Sequence, residues 1–134
     1  MEKLIQTEEE ERLYDTLKSY YSNLYPDVEI KDEELVLSPS EIGELYYTFP
    51  GFEEAATFNE KVERIKKAIG HGYNTPIILA RKGDKLMILD GHRRAVAAWQ
   101  LGVKWRALVL VFPQDHELGI EKLVQGKIEE LFSR

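Results

Sequence analysis

The stretch Met87–Gly102, MILDGHRRAVAAWQLG, decides how the chain is read. Three apolar residues give way to Asp90, Gly91, His92, Arg93 and Arg94, and an alanine-rich apolar run follows at once. The first part suits the end of a buried strand. The second suits a helix lying close on a sheet, because Ala95, Ala97 and Ala98 add little bulk. The spacing predicts a strand ending near Leu89 and a helix over His92–Leu101, closed by Gly102. A helix start exposes backbone N–H groups and carries a partial positive charge. Basic side chains in its first turn oppose that dipole, and an anion at the turn relieves the conflict. Phosphate is the natural candidate, since arginine forks and helix N-termini both match its oxygens. Gly91 permits a tight turn and a close ligand approach. A competing reading is internal: Asp90 caps the helix and pairs with one arginine, and the other arginine is solvated.

Outward from this stretch, PIILAR and KLMIL flank the glycine-containing turn Lys82–Asp84 and read as a hairpin. ALVLVF, Ala107 to Phe112, reads as a buried strand. Upstream, Asn59 is expected to cap a helix over Glu60–Ile69, with Val62, Ile65 and Ile69 as its stripe and Gly70 at its end. Pro39–Phe58 is rich in aromatics without a clean period, and predicts a short helical turn followed by a long loop. That loop is either functional or pinned to the core by its aromatics. VEI and ELVLS read as two short strands around KDEE. Leu13, Leu17, Tyr20, Tyr21 and Leu24 recur at helical steps, so a helix is expected from Thr7 to about Leu24. Thr7 is its expected cap, and Glu8 to Glu11 form a solvated first turn favoured by the dipole. Glu117–Phe132 reads as a final amphipathic helix with Ile120, Leu123, Val124, Ile128 and Leu131 on one side. The fold class expected is mixed α/β (α+β), a single domain over residues 1–134. It comprises an N-terminal helical extension (1–30), a core (35–112) and a C-terminal helix (117–134).

Composition narrows the function classes. The chain has 134 residues, 43% of them hydrophobic and 31% charged, which suits one globular core rather than disorder. Without cysteine, neither a disulfide framework nor a thiol nucleophile is available. MEKLIQTEEEE does not read as a secretory signal, and no apolar run approaches a membrane span; a cytoplasmic protein without a membrane partner is the expectation. Many Glu and Lys with no Cys are compatible with a thermophilic source. A net charge of -6 argues against a broad duplex-binding face, so no tight DNA binding is expected. The basic residues gather at Lys61–Lys67, Arg81–Lys85 and Arg93–Arg106, which leaves room for a local anion site. The spacings of a P-loop and of a dinucleotide fingerprint are both absent. His71 and His116 lack metal-ligand spacing, so no metal site in the protein itself is expected. Trp99 and Trp105 read as packing residues. Tyr46, Tyr47 and Phe49 read as core, with an acceptor pocket as the other reading.

Pro76–Val111, PIILARKGDKLMILDGHRRAVAAWQLGVKWRALVLV, resembles the core of the ParB/sulfiredoxin superfamily. VERIKKAIGHGYNT and LVLSPSEI extend the resemblance to Leu35–Val111. It implies a small mixed sheet flanked by helices, with nucleotide phosphates at the helix start. Gly91, His92, Arg93 and Arg94 would then be the nucleotide-binding residues. Sulfiredoxins carry their catalytic cysteine where Gly91 stands here, which excludes that chemistry. ParB partition proteins bind CTP through a Gly-Glu-Arg-Arg box; Gly91, Arg93 and Arg94 match it, and His92 replaces the acid. Those proteins continue into a helix-turn-helix, for which this sequence offers only one further helix. The free-serine kinases carry Asp-Gly-His-His-Arg, matched by Asp90, Gly91, His92 and Arg94, with Arg93 for the second histidine. Their catalytic glutamate lies in a Pro-x-Glu segment, matched by Glu41; their second lobe has no counterpart here.

This resemblance implies phosphate transfer from ADP or ATP to a small hydroxyl compound such as an amino acid. Glu41 and Asp90 would be catalytic and Mg²⁺ would bridge the phosphates. It would place ELVLS and KLMIL in one sheet, with both following loops at the same end. The alternative is a non-catalytic module binding CTP or another nucleotide, associated with DNA partition or transcription regulation. A homodimer through the C-terminal helix would accompany it.

Overall fold

The computed structural model describes residues 3–48 and 54–134. The elements run α1 (Thr7–Leu24), β1 (Lys31–Leu37), α2 (Pro39–Gly43), β2 (Tyr46–Tyr47), α3 (Ala55–Gly70), β3 (Ile77–Lys82), β4 (Lys85–Asp90), α4 (His92–Leu101), β5 (Trp105–Phe112), a 3₁₀ turn (Gly119–Leu123), β6 (Gly126–Lys127) and α5 (Ile128–Leu131). They form a single mixed α/β domain on one six-stranded sheet of order β1-β5-β3-β4-β2-β6. Phe49 lies outside the described residues.

The centre of the sheet follows from its apolar runs. Ile77 to Ala80 are buried on both faces of β3, as a strand covered on both sides requires. β3 pairs antiparallel with β4 across a tight turn and parallel with β5. β1 pairs antiparallel with β5 along all seven of its residues and forms one edge, and the two-residue β6 forms the other. β1, β4 and β2 therefore run one way, and β5, β3 and β6 the other. The register shifts between Ile78 and Leu79, opposite the point where β4 runs out into α4. This is a bulge of the kind that re-aims a strand end.

One face of the sheet carries Leu37, Ile77, Leu79, Ile88, Ala107 and Val109 under α2, α3 and α4. Ala95, Ala97 and Ala98 are fully buried, as expected of a helix close on a sheet. The other face, with Ala80, Met87, Leu110 and Phe112, is covered by Tyr14, Leu17 and Tyr21 of α1. The N-terminal helix is thus part of the core and no mere extension.

Several boundaries differ from expectation. α1 has the expected span, but its cap is Gln6, in a reciprocal box with Glu9. Val28–Ile30 is not a strand, so one strand replaces two. α3 begins at Ala55 instead of Glu60, with Glu54 in place of Asn59 as its N-cap, because Phe58 packs into the core as an added turn of the stripe of Val62 and Ile65. The helix expected over Glu117–Phe132 is absent. Leu118, Ile120 and Val124 pack on the α1 face of the sheet, and Ile128 and Phe132 on the α4 face. The segment therefore wraps round the sheet edge. It is broken at Gly126, which sits at φ 151 and pairs through β6 with Tyr47. The dimer expected through that helix loses the surface it was read from.

The wrap predicts unequal costs for two apolar truncations. Ile128 is fully buried, whereas Leu123 is 41% exposed. Ile128→Ala is expected to lower unfolding stability by about 2–5 kcal/mol, and Leu123→Ala by less than about 1 kcal/mol. Urea denaturation checks this; equal losses would restore the continuous amphipathic helix.

Candidate functional site

The turn from β4 into α4 is built around Gly91. Its φ of 94 lies in the left-handed region, and a Cβ there would come within 2.7 Å of both the Arg94 guanidinium and the Ile77 side chain. The close approach expected of a ligand is made by the protein's own arginine. The N-cap residue of α4, Gly91, has no side chain to cap it, and the first turn contains no acid. Asp90 therefore does half of what the internal reading required: it pairs with Arg94 at 3.3 Å but does not cap the helix.

Arg94 points inward. It is 5% exposed and forms an ion pair with Glu10 of α1, which is fully buried. The solvated acidic first turn expected at Glu8 to Glu11 is corrected at this residue. One guanidinium faces two carboxylates, so one of them is left without a full counter-charge. Burial, with a hydrogen bond to Asp90, pushes the Glu10 carboxyl up to about 8 against the pull of Arg94. Glu10 Oε1 and Arg94 Nε have no hydrogen-bond partner among the described residues.

His92 is not a cation either. Burial pushes its imidazole down to about 4, and the opposing pull of Asp90 does not compensate. Tyr47 lies edge-on to the ring at 4.9 Å between centroids. Thr48 donates its hydroxyl hydrogen to the Ile88 carbonyl, and His92 Nε2 lies 3.2 Å from the same hydroxyl oxygen. Nε2–H must then be the donor in that contact, which leaves Nδ1 as an acceptor. Of the three basic residues in the turn, Arg94 is turned inward onto Glu10 and Asp90, and His92 is neutral.

Arg93 lines two adjoining cavities. The first, of about 170 Å³, is bounded by Lys3, Leu4 and Ile5 and by the Asp90–Arg94 turn. The second, of about 50 Å³, adds Lys61 and Arg64 of α3. The N-terminal segment over them is pinned by Tyr73 and Thr75, whose hydroxyls donate to the Ile5 carbonyl at 2.8 and 2.9 Å. Sequence reasoning missed Lys3, Lys61 and Arg64, because only the fold brings them to this helix start.

Glu41 lies elsewhere. The loops after β1 and β4 do leave the sheet at the same end, since Leu37 pairs with Trp105 and Asp90 with Ile78. Two strands stand between them, a separation of about 14 Å at ordinary strand spacing. α2 then packs on the far half of α4, where Gly43 meets Trp99. Trp99 is seven residues, about 10 Å, beyond the helix start. The Glu41 carboxylate accepts from Ser38 N at 2.9 Å while Ser38 Oγ accepts from Glu41 N, a capping box that holds its pKa below the usual value. It lines a different cavity from Asp90, Gly91, His92, Arg93 and Arg94. Trp99 and Trp105 are core residues, and Trp105 donates to the Thr75 carbonyl at 2.8 Å. His71 ends α3, and His116 packs on Tyr25. Among the described residues no three His, Cys, Asp or Glu side chains gather as a metal site, and no helix is long and apolar enough to cross a membrane.

No family model matches the chain. A stretch of 57 residues, 40% of the chain, is 44% identical to an uncharacterized protein of Methanocaldococcus jannaschii. The match spans 22% of that protein's length.

The two buried groups set a pH dependence. Folded Glu10, with its carboxyl raised from 4.5 to about 8, keeps a proton that the unfolded chain releases, so stability falls as pH rises across that range. Folded His92 refuses a proton that the unfolded chain accepts below 6.5, so stability falls as pH drops from there towards 4. Between pH 6.5 and 8 Glu10 acts alone. The urea midpoint is expected to fall across that window in the parent chain and to stay level in Glu10→Gln. Arg94→Ala is expected to raise the Glu10 carboxyl further and to cost about 1–3 kcal/mol by leaving that buried group without its hydrogen-bond donor. A level midpoint in the parent chain would place Glu10 ionised against Arg94.

Proposed function

We propose that the chain binds the phosphates of a nucleoside di- or triphosphate at the start of α4, as a nucleotide-binding module. The observation that carries this is the convergence of Arg93 with Lys3, Lys61 and Arg64 on adjoining cavities at a helix start whose N-cap is a glycine. Among the described residues lining them, Asp90 is the carboxylate, and Arg64 also reaches Glu60 at 3.3 Å. A cavity of about 170 Å³ is below the roughly 300–1,000 Å³ of sites that enclose whole small ligands. It suits the phosphates, with the nucleoside lying outside or beneath a displaced Lys3–Ile5 segment. ADP, ATP and CTP share this chemistry. The resemblance to the ParB/sulfiredoxin superfamily supports the same location through Gly91, Arg93 and Arg94.

Phosphoryl transfer to a small hydroxyl compound is the second reading, favoured by Asp90 at the cavity wall. Asp90 would orient the acceptor or give Mg²⁺ one oxygen ligand, with phosphate oxygens and water as the rest. Glu41 has no part in it, because it lies in the other cavity. Nothing in the arrangement favours duplex DNA as a ligand.

Titration calorimetry with ADP, ATP, CTP and pyrophosphate, each with and without Mg²⁺, tests the proposal. At least one of the nucleotides is expected to bind. Arg93→Ala should weaken binding by about 1.5–3 kcal/mol, the worth of a charge-assisted bond, and leave folding intact. Glu41→Gln should leave the affinity unchanged. The proposal fails if none of these compounds binds, or if Arg93→Ala binds as the parent chain does.

A further inference from the structure

Buried polar groups are ordinarily satisfied on every atom. The contact between Glu10 and Arg94 departs from that. Arg94 Nη2 reaches both Glu10 Oε2 and Asp90 Oδ2, whereas Arg94 Nε and Glu10 Oε1 have no hydrogen-bond partner among the described residues. A carboxyl and a guanidinium, which can bond in parallel pairs, here meet through a single nitrogen.

The guanidinium nevertheless stands where an anion would need it. Its Nη2 and Nε lie 2.7 and 3.1 Å from the place of a Cβ on Gly91, beside the N-cap of α4. Gly91 and Arg94 both line the cavity of about 170 Å³. A phosphate oxygen there would meet the unused Nε–H and the backbone N–H groups of the first turn. The start of α1 closes this place off. Glu10 sits on the guanidinium, and Lys3, Leu4 and Ile5 bound the cavity.

That start is held more lightly than the rest of the helix. Tyr14, Leu17 and Tyr21 pack on the sheet, whereas Glu8 and Glu9 are exposed and Ile5 is 40% exposed. Its anchors are Leu4 on the core, the Tyr73 and Thr75 hydroxyls on the Ile5 carbonyl, and Glu10. The capping box of Gln6 and Glu9 is internal to the turn and moves with it. Helix ends fray readily. With its carboxyl pushed up to about 8 by burial, Glu10 keeps its proton at neutral pH. A neutral carboxyl is a weaker partner for a guanidinium than a charged phosphate. We propose that Lys3–Glu10 is a latch on the phosphate site: Glu10 holds Arg94 in place of the ligand, and a bound phosphate takes over the guanidinium and releases the start of α1. This regulation rests on the phosphate reading and adds that the described structure is the closed state.

The test is ¹H–¹⁵N spectroscopy of the full chain titrated with pyrophosphate and with ADP, each with Mg²⁺. At saturation the amides of Ile5–Glu10 are expected to shift or broaden together with those of Gly91–Arg94, while those of Tyr14–Leu24 stay in place. Glu10→Ala removes the hold and should tighten binding about tenfold, the gain for a latch open in about one parent molecule in ten. Its spectrum reports that it remains folded. Glu10→Gln keeps an acceptor for Arg94 and should tighten binding less. Binding that appears in Glu10→Ala alone supports the latch as well. The latch is overturned, and the phosphate reading stands, if the ligand shifts Gly91–Arg94 and leaves Ile5–Glu10 unmoved, or if folded Glu10→Ala binds no tighter than the parent chain. Both readings fall if neither compound binds either protein.

Discussion

The buried charge of Arg94 is the constraint on which the rest of the α4 start depends. A guanidinium held below the surface needs a carboxylate, and here it has two, one from its own turn and one from α1. Glu10 therefore joins the helix on one face of the sheet to the helix start on the other side. The same guanidinium accounts for the glycine. With the space beside Gly91 filled by Arg94 and Ile77, no larger residue could stand at a positive φ there. Breaking either partner of such a pair strands the other, and the cost of an unmatched buried charge exceeds what the pair contributes when whole. Arg93, the neighbour whose side chain borders the cavities, is held in place by this inward-facing arrangement.

The centre of the fold was legible in the sequence because each element there announces itself locally. β3 and β4 are apolar runs separated by a glycine turn, and α4 is bounded by Gly91 and Gly102, both at positive φ. β5 carries an apolar run, Ala107 to Phe112, of the right length. What was not legible depends on distant partners. Nothing within Glu8–Glu11 distinguishes Glu10, whose arginine lies 84 residues away. Between Glu117 and Phe132 the apolar residues happen to fall at helical intervals, yet they are shared between opposite faces of the sheet. Only the pairing of β6 with β2, 80 residues apart, reveals that. His92 reads as a base in the sequence and becomes neutral through burial beside Tyr47 and Thr48.

The Pro-x-Glu segment shows how one short pattern can satisfy two explanations. Pro39 in the first turn and Glu41 reaching back to Ser38 are what a helix start of five residues needs for its own closure. Local structure accounts for the pattern without any catalytic demand. The fold then carries that glutamate away from Asp90 and into a separate cavity.

The two outer strands have a consequence for the behaviour of many copies together. β1 opens with Lys31, Asp32, Glu33 and Glu34, and two of these are tied sideways to Arg81 and Arg106. A strand from another copy that sought the open hydrogen-bonding side of β1 would have to lie along that charged row. On the far side, β6 is two residues long and gives way at once to α5. Neither margin of the sheet is a template for continued strand addition, so the domain is guarded against polymerising edge to edge even though its sheet does not close on itself.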